Sequence, residues 1–356
     1  MTKIQFPMRT LIEMIKIDSP SGEEAEFSNY CIGCLKKINF SVRRDDYGNI
    51  IACSKNRTLR PSVLLSGHLD TVNPGKNIQP IIENDILKSD GNTILGCDNK
   101  LAIALYFEAI KSLLNAGKRV RPLEIVLTRN EESGMLGARH IDFSVIRSKE
   151  GISFDTEGPI FHYVASSPFA ELLNINIKGK AAHAGCPEKG IDALKIFSKA
   201  YSILETGRID KNTTINFGLI EGGSGANIVM ANVSVNGNIR SQKKTELKKM
   251  KIEVVKIFNK IAKEYGGTAN VKFTKIIDGY VISSKDSLII DLSKVARNKL
   301  LPIITNSGSD ANIFNEHGIK VIELCNGISG AHTVCEQVSI KDVSKLFEFL
   351  KIFLAV

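Results

Sequence analysis

The sequence contains no tryptophan, and aromatic residues make up only 6% of its 356 amino acids. Aromatic side chains that could stack on nucleic-acid bases are therefore scarce. The formal net charge is +9, but the lysines are spread along the chain and no segment has a recognised nucleic-acid-binding motif. We therefore predict a solvated basic surface and no nucleic-acid partner.

The sequence also lacks a long apolar run and a second paired-cysteine motif. No apolar run is long enough to cross a bilayer, and the first residues lack the apolar core of a signal peptide. The seven cysteines are an odd number, and Cys31-x-x-Cys34 has no second cysteine pair to complete a zinc site. We expect a cytoplasmic protein with reduced thiols and no membrane partner.

Apolar runs of strand length alternate with segments of helical periodicity along most of the chain. This alternation predicts an α/β fold with a doubly wound mixed sheet. Between residues 166 and 278 the order strand, helix, strand, strand, helix, strand predicts an inserted ferredoxin-like α+β module. We therefore expect two domains: a discontinuous metal-binding catalytic domain, residues 1–165 and 279–356, and a second domain, residues 166–278.

Local signals predict individual elements. Ser21-x-x-Glu24 has the spacing of a capping box that would begin a helix extending to about Lys37. Asn84-Asp85 lies at the centre of a predicted hairpin, residues 81–89. Helical periodicity covers residues 101–115 and 288–300.

Five candidate metal ligands are widely separated in the sequence. His68, Glu132 and Asp155 follow apolar runs that are typical of strands, Asp98 precedes a long helical segment, and the fifth is His332. Because side chains just beyond the carboxyl ends of parallel strands converge on one crevice, we expect these residues to form one site.

Two imidazoles and three carboxylates suffice for two neighbouring divalent ions if one carboxylate bridges them, and Asp98 is the expected bridge. Asp70 is placed to orient His68, because a ligating imidazole needs a hydrogen bond at its other nitrogen. In the pair Glu131-Glu132 one carboxylate can ligate while the other acts as general base toward a water molecule. Mixed sites of this kind accept zinc, manganese or cobalt.

Eight segments in this order resemble one family, the co-catalytic dizinc exopeptidases and amidohydrolases that include peptidase T, glutamate carboxypeptidase and aminoacylase. The resemblance covers essentially the whole chain. The segments are Ser-Pro-Ser-Gly-Glu-Glu at 19–24, Gly-His-Leu-Asp-Thr-Val at 67–72, Gly-Cys-Asp-Asn-Lys at 96–100, Glu-Glu-Ser-Gly-Met-Leu-Gly-Ala at 131–138, Ala-His-Ala-Gly at 182–185, residues 222–229, Ser-Asp-Ala-Asn at 309–312 and His-Thr-x-x-Glu at 332–336.

The resemblance assigns the ligands position by position. It implies that His68, Asp98 and Asp155 hold one zinc, and that Asp98, Glu132 and His332 hold the other. Asp98 then bridges the two ions. Most relatives carry a second aspartate after the bridging one, where this sequence has an asparagine, but this difference removes no ligand.

The resemblance also implies roles for residues that hold no metal. Glu131 is the general base, and His183 of the partner subunit polarises the scissile carbonyl. Asn227 and Arg240 bind the carbonyl and carboxylate ends of the substrate. The inserted domain is then both a lid and the dimerisation domain of a homodimer.

Within the family, chain length and residues 222–229 look most similar to peptidase T-like aminopeptidases that act on short peptides. We therefore predict a metallo-exopeptidase, specifically a tripeptide aminopeptidase. A carboxypeptidase or an N-acyl-amino-acid amidohydrolase is the alternative within the family. A non-catalytic peptide-binding protein with the same fold is the alternative from another class, and its expected sign would be the loss of a ligand or of Glu131.

Overall fold

The computed structural model describes residues 7–55 and 61–356. It divides into two compact units. The large unit comprises Met1–Ala165, Val281–Thr305 and Ser309–Val356, and the small unit comprises Ser166–Tyr280 and Asn306–Gly308. The predicted fold class, a mixed α/β sheet with an inserted α+β module, is confirmed.

The elements within the described residues are as follows. The strands are β1 Phe40–Arg44, β2 Ile50–Ser54, β3 Val63–His68, β4 Ile81–Glu83, β5 Ile86–Lys88, β6 Leu123–Thr128, β7 Glu150–Thr156, β8 His162–Ser167, β9 Phe169–Lys178, β10 Gly207–Arg208, β11 Thr213–Gly222, β12 Asn232–Ser241, β13 Thr268–Ile277, β14 Tyr280–Val281, β15 Leu301–Ile304, β16 Lys320–Cys325, β17 Ile328–Ser329 and β18 Gln337–Ser339. The α-helices are α1 Met8–Ile15, α2 Ala25–Lys37, α3 Cys97–Asn115, α4 Leu136–Arg139, α5 Ala193–Ile203, α6 Lys244–Glu264, α7 Ser287–Val295, α8 Asp310–Glu316 and α9 Ile340–Leu354.

The largest sheet has the strand order β1-β2-β6-β3-β7-β16-β8-β14, with β15 paired to β8. Its centre is parallel, since β3 pairs in parallel with β6 and β7, and β7 with β16. Every residue of β3 and β6 is buried, as expected for strands covered on both faces. Parallel strands place their carboxyl ends at one edge, so this edge collects the residues that follow β3, β6 and β7.

Two local predictions were wrong. Ser21 does not cap α2; its hydroxyl donates to Asp70 Oδ2 at 2.7 Å, and α2 begins at Ala25 without a side-chain cap. Glu24 instead accepts hydrogen bonds from Arg129. The helix predicted over residues 288–300 ends at Val295, and β15 begins at Leu301.

The small unit has the predicted ferredoxin-like order of elements. Its sheet runs β10-β11-β12-β9-β13, which places the first strand of the module, β9, between β12 and β13. The short edge strand β10 was not predicted. Alternate residues of β9 and β12 point into a core beneath α5 and α6. Its fully buried members include Leu173, Ile175, Ile177, Ile196, Val235, Val254 and Phe258.

A third, four-stranded antiparallel sheet has the order β17-β18-β5-β4. The predicted hairpin β4–β5 is present, but no sequence pattern predicted its pairing with β18. Strands β17 and β18 enclose the loop of residues 330–336, which contains His332. Among the described helices, none combines the length and apolar character that a membrane span requires.

Candidate metal centre

The five candidate ligands lie together in the large unit. Ser66 of β3 lies opposite Ser153 of β7, so His68 and Asp155, each two residues further on, reach the same edge of the sheet. The other three come from the start of α3, the loop after β6 and the β17–β18 loop. Potential ligand atoms lie within 4.8 Å of one another in three groups: His68, Asp98 and Asp155; Asp98, Glu132 and His332; and His68, Glu131 and Glu132.

Asp98 lies between two half-sites. Its Oδ1 is 3.4 Å from His68 Nε2, which is also 3.2 Å from Asp155 Oδ1. Its Oδ2 is 3.3 Å from His332 Nε2, which is 2.9 Å from Glu132 Oε1. Each oxygen of one carboxylate therefore faces a different imidazole, which is the arrangement that a bridging ligand requires.

The polarity of these atoms fits bound cations. His68 Nδ1 lies 2.9 Å from the backbone oxygen of Asp70, and because a carbonyl only accepts, Nδ1 must carry the hydrogen. In the neutral ring, Nε2 then directs a lone pair at the carboxylates of Asp98 and Asp155. Asp98 Oδ1 is buried and has no hydrogen-bond partner among the described residues. Two imidazoles and three carboxylates match the ligand preferences of zinc, manganese and cobalt.

Three side chains of the site, those of His332, Asp155 and Glu131, have raised pKa values. The hydrogen bonds from His332 to Asp98 and Glu132 raise the pKa of its imidazole to about 10. Burial raises the pKa of Asp155 and that of Glu131 well above the usual range. Divalent cations would reverse these shifts, because they stabilise carboxylates and neutral imidazoles as ligands. Metal binding is therefore expected to release protons.

Asp70 forms hydrogen bonds to His68 and also to the turn that contains Glu131 and Glu132. Its Oδ1 accepts a hydrogen bond from the Glu131 amide at 2.9 Å, and its Oδ2 accepts from the Glu132 amide at 3.1 Å and from the Ser21 hydroxyl at 2.7 Å. His68 Nδ1 donates its hydrogen bond to the backbone carbonyl of Asp70, and Asp70 Oδ1 lies 3.5 Å from the same nitrogen. One buried residue thus fixes both neighbouring segments.

Glu336 is a further residue of the site, and sequence analysis gave it no role. Its buried carboxylate accepts hydrogen bonds from the amides of Gly96, Cys97 and Asp98, at 2.7, 2.8 and 3.1 Å. These amides begin α3, where the free N–H groups and the helix dipole favour an anion. Glu336 therefore ties the segment of Asp98 to the loop of His332. The only sign of this role in the sequence was the segment His-Thr-x-x-Glu, which places Glu336 four residues after the candidate ligand His332.

We expect Glu336→Gln to destabilise the large unit. A glutamine keeps the size of the side chain but turns an amide NH₂ toward backbone N–H groups, leaving a buried donor unpaired. The free energy of unfolding should fall by about 1–3 kcal/mol, measured by urea denaturation of the metal-free protein. Glu83→Gln is the control, since Glu83 is an exposed residue of strand β4. Equal denaturation midpoints for both variants would contradict this role.

The other three predicted site residues lie in the small unit. The backbone N–H of Gly185 donates to His183 Nδ1 at 3.1 Å, so the hydrogen of the neutral ring is on Nε2. The amide of Ala184 donates to the carbonyl of Asn227 at 2.8 Å, which brings the segments of His183 and Asn227 together. Arg240 Nη1 donates to the carbonyl of Asn306 at 2.7 Å.

Comparison with known proteins identifies relatives along the full chain. A model of the M20 peptidase dimerisation domain matches residues 172–266, and a model of peptidase family M28 matches residues 49–150. The uncharacterized protein YqjE of Bacillus subtilis is 33% identical over 96% of each chain.

Two solved structures have the same fold over nearly their whole length. Aminopeptidase PepT of Bacillus cereus is 31% identical, with a TM-score of 0.92 over 98% of this chain and 97% of its own. A tripeptidase of Staphylococcus aureus is 28% identical, with a TM-score of 0.93 over 99% of this chain and 98% of its own. The chain therefore belongs to the M20 peptidase family, as a peptidase T-like hydrolase of peptide bonds.

Proposed function

We propose that this protein is a tripeptide aminopeptidase that binds two divalent ions per chain, and that these ions are zinc. His68, Asp98 and Asp155 hold one ion, and Asp98, Glu132 and His332 hold the other. The observation that carries the proposal is the position of Asp98, whose two carboxylate oxygens face different imidazoles. Manganese or cobalt would suit the same ligands.

Glu131 is the proposed general base. When bound, the two ions supply Lewis-acid chemistry, lowering the pKa of a water molecule and polarising the peptide carbonyl. Glu131 takes the proton of the attacking water and returns it to the leaving amine. Asp70 keeps Glu131 in place through its backbone amide, so that the carboxylate does not have to be reoriented during the reaction.

His183 is the proposed donor to the scissile carbonyl oxygen. Because the amide of Gly185 occupies Nδ1, the Nε2–H group of the ring is available to donate. We propose that this histidine comes from the partner subunit of a homodimer formed through the small unit. The match of residues 172–266 to the peptidase dimerisation domain supports this assembly.

Asn227 and Arg240 are the proposed contacts to the carbonyl and carboxylate of a short peptide. The planar guanidinium of Arg240 suits a carboxylate, which it can bind through two parallel hydrogen bonds. Its bond to Asn306 holds one nitrogen and limits the freedom of the side chain.

We also propose a reducing, cytoplasmic setting, which the seven free cysteines support.

A carboxypeptidase is the second candidate. It is favoured by the 27% identity with carboxypeptidase G2 of a Pseudomonas species over 65% of this chain. The aminopeptidase is preferred because the PepT and tripeptidase structures match nearly the whole chain at higher identity. The two activities differ in the end of the substrate that must be free.

Product analysis on a free, an N-acetylated and a C-amidated form of one tripeptide tests this choice. An aminopeptidase needs the free amine, so we expect release of the N-terminal residue from the free and amidated peptides and no cleavage of the acetylated one. Cleavage of the acetylated peptide with release of its C-terminal residue would establish the carboxypeptidase instead.

The same peptides test Arg240. If its guanidinium binds the substrate carboxylate, amidation should raise KM in the wild-type enzyme. In Arg240→Lys that difference between the free and amidated peptides should largely disappear, because the paired hydrogen bonds are lost. An unchanged difference would exclude Arg240 as the carboxylate contact.

A further inference from the structure

Asn99 directly follows the bridging candidate Asp98 and is 1% exposed. Its Nδ2 donates hydrogen bonds to the backbone oxygen of Phe154 at 2.6 Å and to Asp155 Oδ1 at 2.7 Å. The Phe154 carbonyl can only accept, so the side-chain nitrogen and not the oxygen must face it. Both hydrogens of the amide are therefore committed, one to a strand and one to a candidate ligand.

The oxygen that Asn99 contacts is the one that faces the candidate metal position. Asp155 Oδ1 is also 3.2 Å from His68 Nε2. A carboxylate oxygen has two lone pairs, so a donor on one side fixes the direction in which the other points. Asn99 supplies this donor without adding a charge to a cluster already rich in carboxylates.

Close packing prevents Asn99 from turning away. A Cβ atom at Gly67 would lie 2.6 Å from Asn99 Oδ1, so a glycine in β3 is what leaves room for the amide. The side chain is thus held between the ends of β3 and β7 at the start of α3. These are the three elements that carry His68, Asp98 and Asp155.

We propose that Asn99 is a positioning residue for Asp155. It orients the Asp155 carboxylate toward the ion shared with His68 and Asp98, and so sets the affinity of that half-site. The half-site of Glu132 and His332 does not depend on it, because no hydrogen bond joins Asn99 to either residue within the described chain. This inference rests on the proposed ligand set.

The test is Zn²⁺ titration of the metal-free protein in competition with a chromogenic chelator. Asn99→Leu keeps the approximate shape of the side chain but has no donor, and Asn99→Ala serves if the leucine does not fit beside Gly67. We expect one of the two ions to bind roughly 10–100-fold more weakly, as for other outer partners of metal ligands. The affinity for the second ion should remain that of the wild-type protein, because its ligands make no hydrogen bond to Asn99 within the described chain.

Asn315 provides matched controls. Its Nδ2 also donates to two internal acceptors, the backbone oxygens of Ala311 and Val321, at 2.8 and 2.9 Å. Neither is a candidate ligand. Asn315→Leu and Asn315→Ala should lower the thermal stability of the metal-free protein while both zinc affinities remain those of wild type. A purely structural Asn99 would give the same result as these controls.

The outcomes separate the inference from the proposed function. Wild-type protein that binds fewer than two zinc ions per chain would overturn the proposed centre and with it the role of Asn99. Wild-type protein that binds two ions, with Asn99 variants that keep both affinities, would overturn only the inference. An equal loss of affinity for both ions would also overturn the inference, since the proposed effect is confined to one half-site.

Discussion

Replacing Glu131 by glutamine is expected to remove most peptide hydrolysis while leaving the fold and the metal content intact. The substitution keeps the size of the side chain and the backbone amide bonded to Asp70. It removes only the carboxylate that accepts and returns a proton. General acid–base groups contribute roughly 10²–10⁴-fold, so kcat should fall by about that factor. Steady-state kinetics and metal analysis on the same preparation measure both properties.

Glu132→Gln is the matched comparison, since it makes the same chemical change one residue away. Glu132 Oε1 lies 2.9 Å from His332 Nε2, so here we expect loss of metal as the primary defect. Added metal should partly restore the turnover of Glu132→Gln and should not restore that of Glu131→Gln. Retained turnover in Glu131→Gln would assign the general base to another residue.

Mixed dimers of Glu131→Gln and His183→Ala are expected to regain activity that neither parent has. If His183 acts on the active site of the partner subunit, one site of the mixed dimer combines an intact Glu131 with an intact His183. Unfolding and refolding the two inactive variants together in equal amounts gives about half mixed dimers when chains pair at random. Roughly a quarter of wild-type activity should then return.

Differently tagged chains allow the mixed dimers to be isolated before they are assayed. Each parent refolded alone is the control for recovery of the fold. If isolated mixed dimers remain as inactive as their parents, His183 either acts within its own chain or takes no part in the reaction. Chains that elute as monomers would contradict the proposed homodimer itself.

The capping box predicted at Ser21 shows why predictions from neighbouring residues fail near this site. The spacing Ser-x-x-Glu predicts reciprocal bonds between neighbours in sequence. In the structure the Ser21 hydroxyl binds Asp70, and Glu24 binds Arg129. A buried carboxylate or guanidinium brought close by folding is a stronger partner than a helix amide that water can also satisfy. Such partners have no signature in the local sequence.

Sequence periodicity by itself determined the central strands of the large sheet, most helices and the inserted module, because burial on one face or both imposes a repeat on neighbouring residues. It also indicated which side chains could hold metal ions, since residues that follow parallel strands meet at one edge. Only the tertiary structure decided that the two oxygens of Asp98 face different imidazoles, that Glu336 binds the start of α3 and that Asn99 donates to Asp155. These contacts join residues that lie 30 or more positions apart in the sequence, and they depend on the direction of each side chain. Packing of the whole unit fixes both the approach of the residues and the direction of their side chains, and no local pattern encodes this packing.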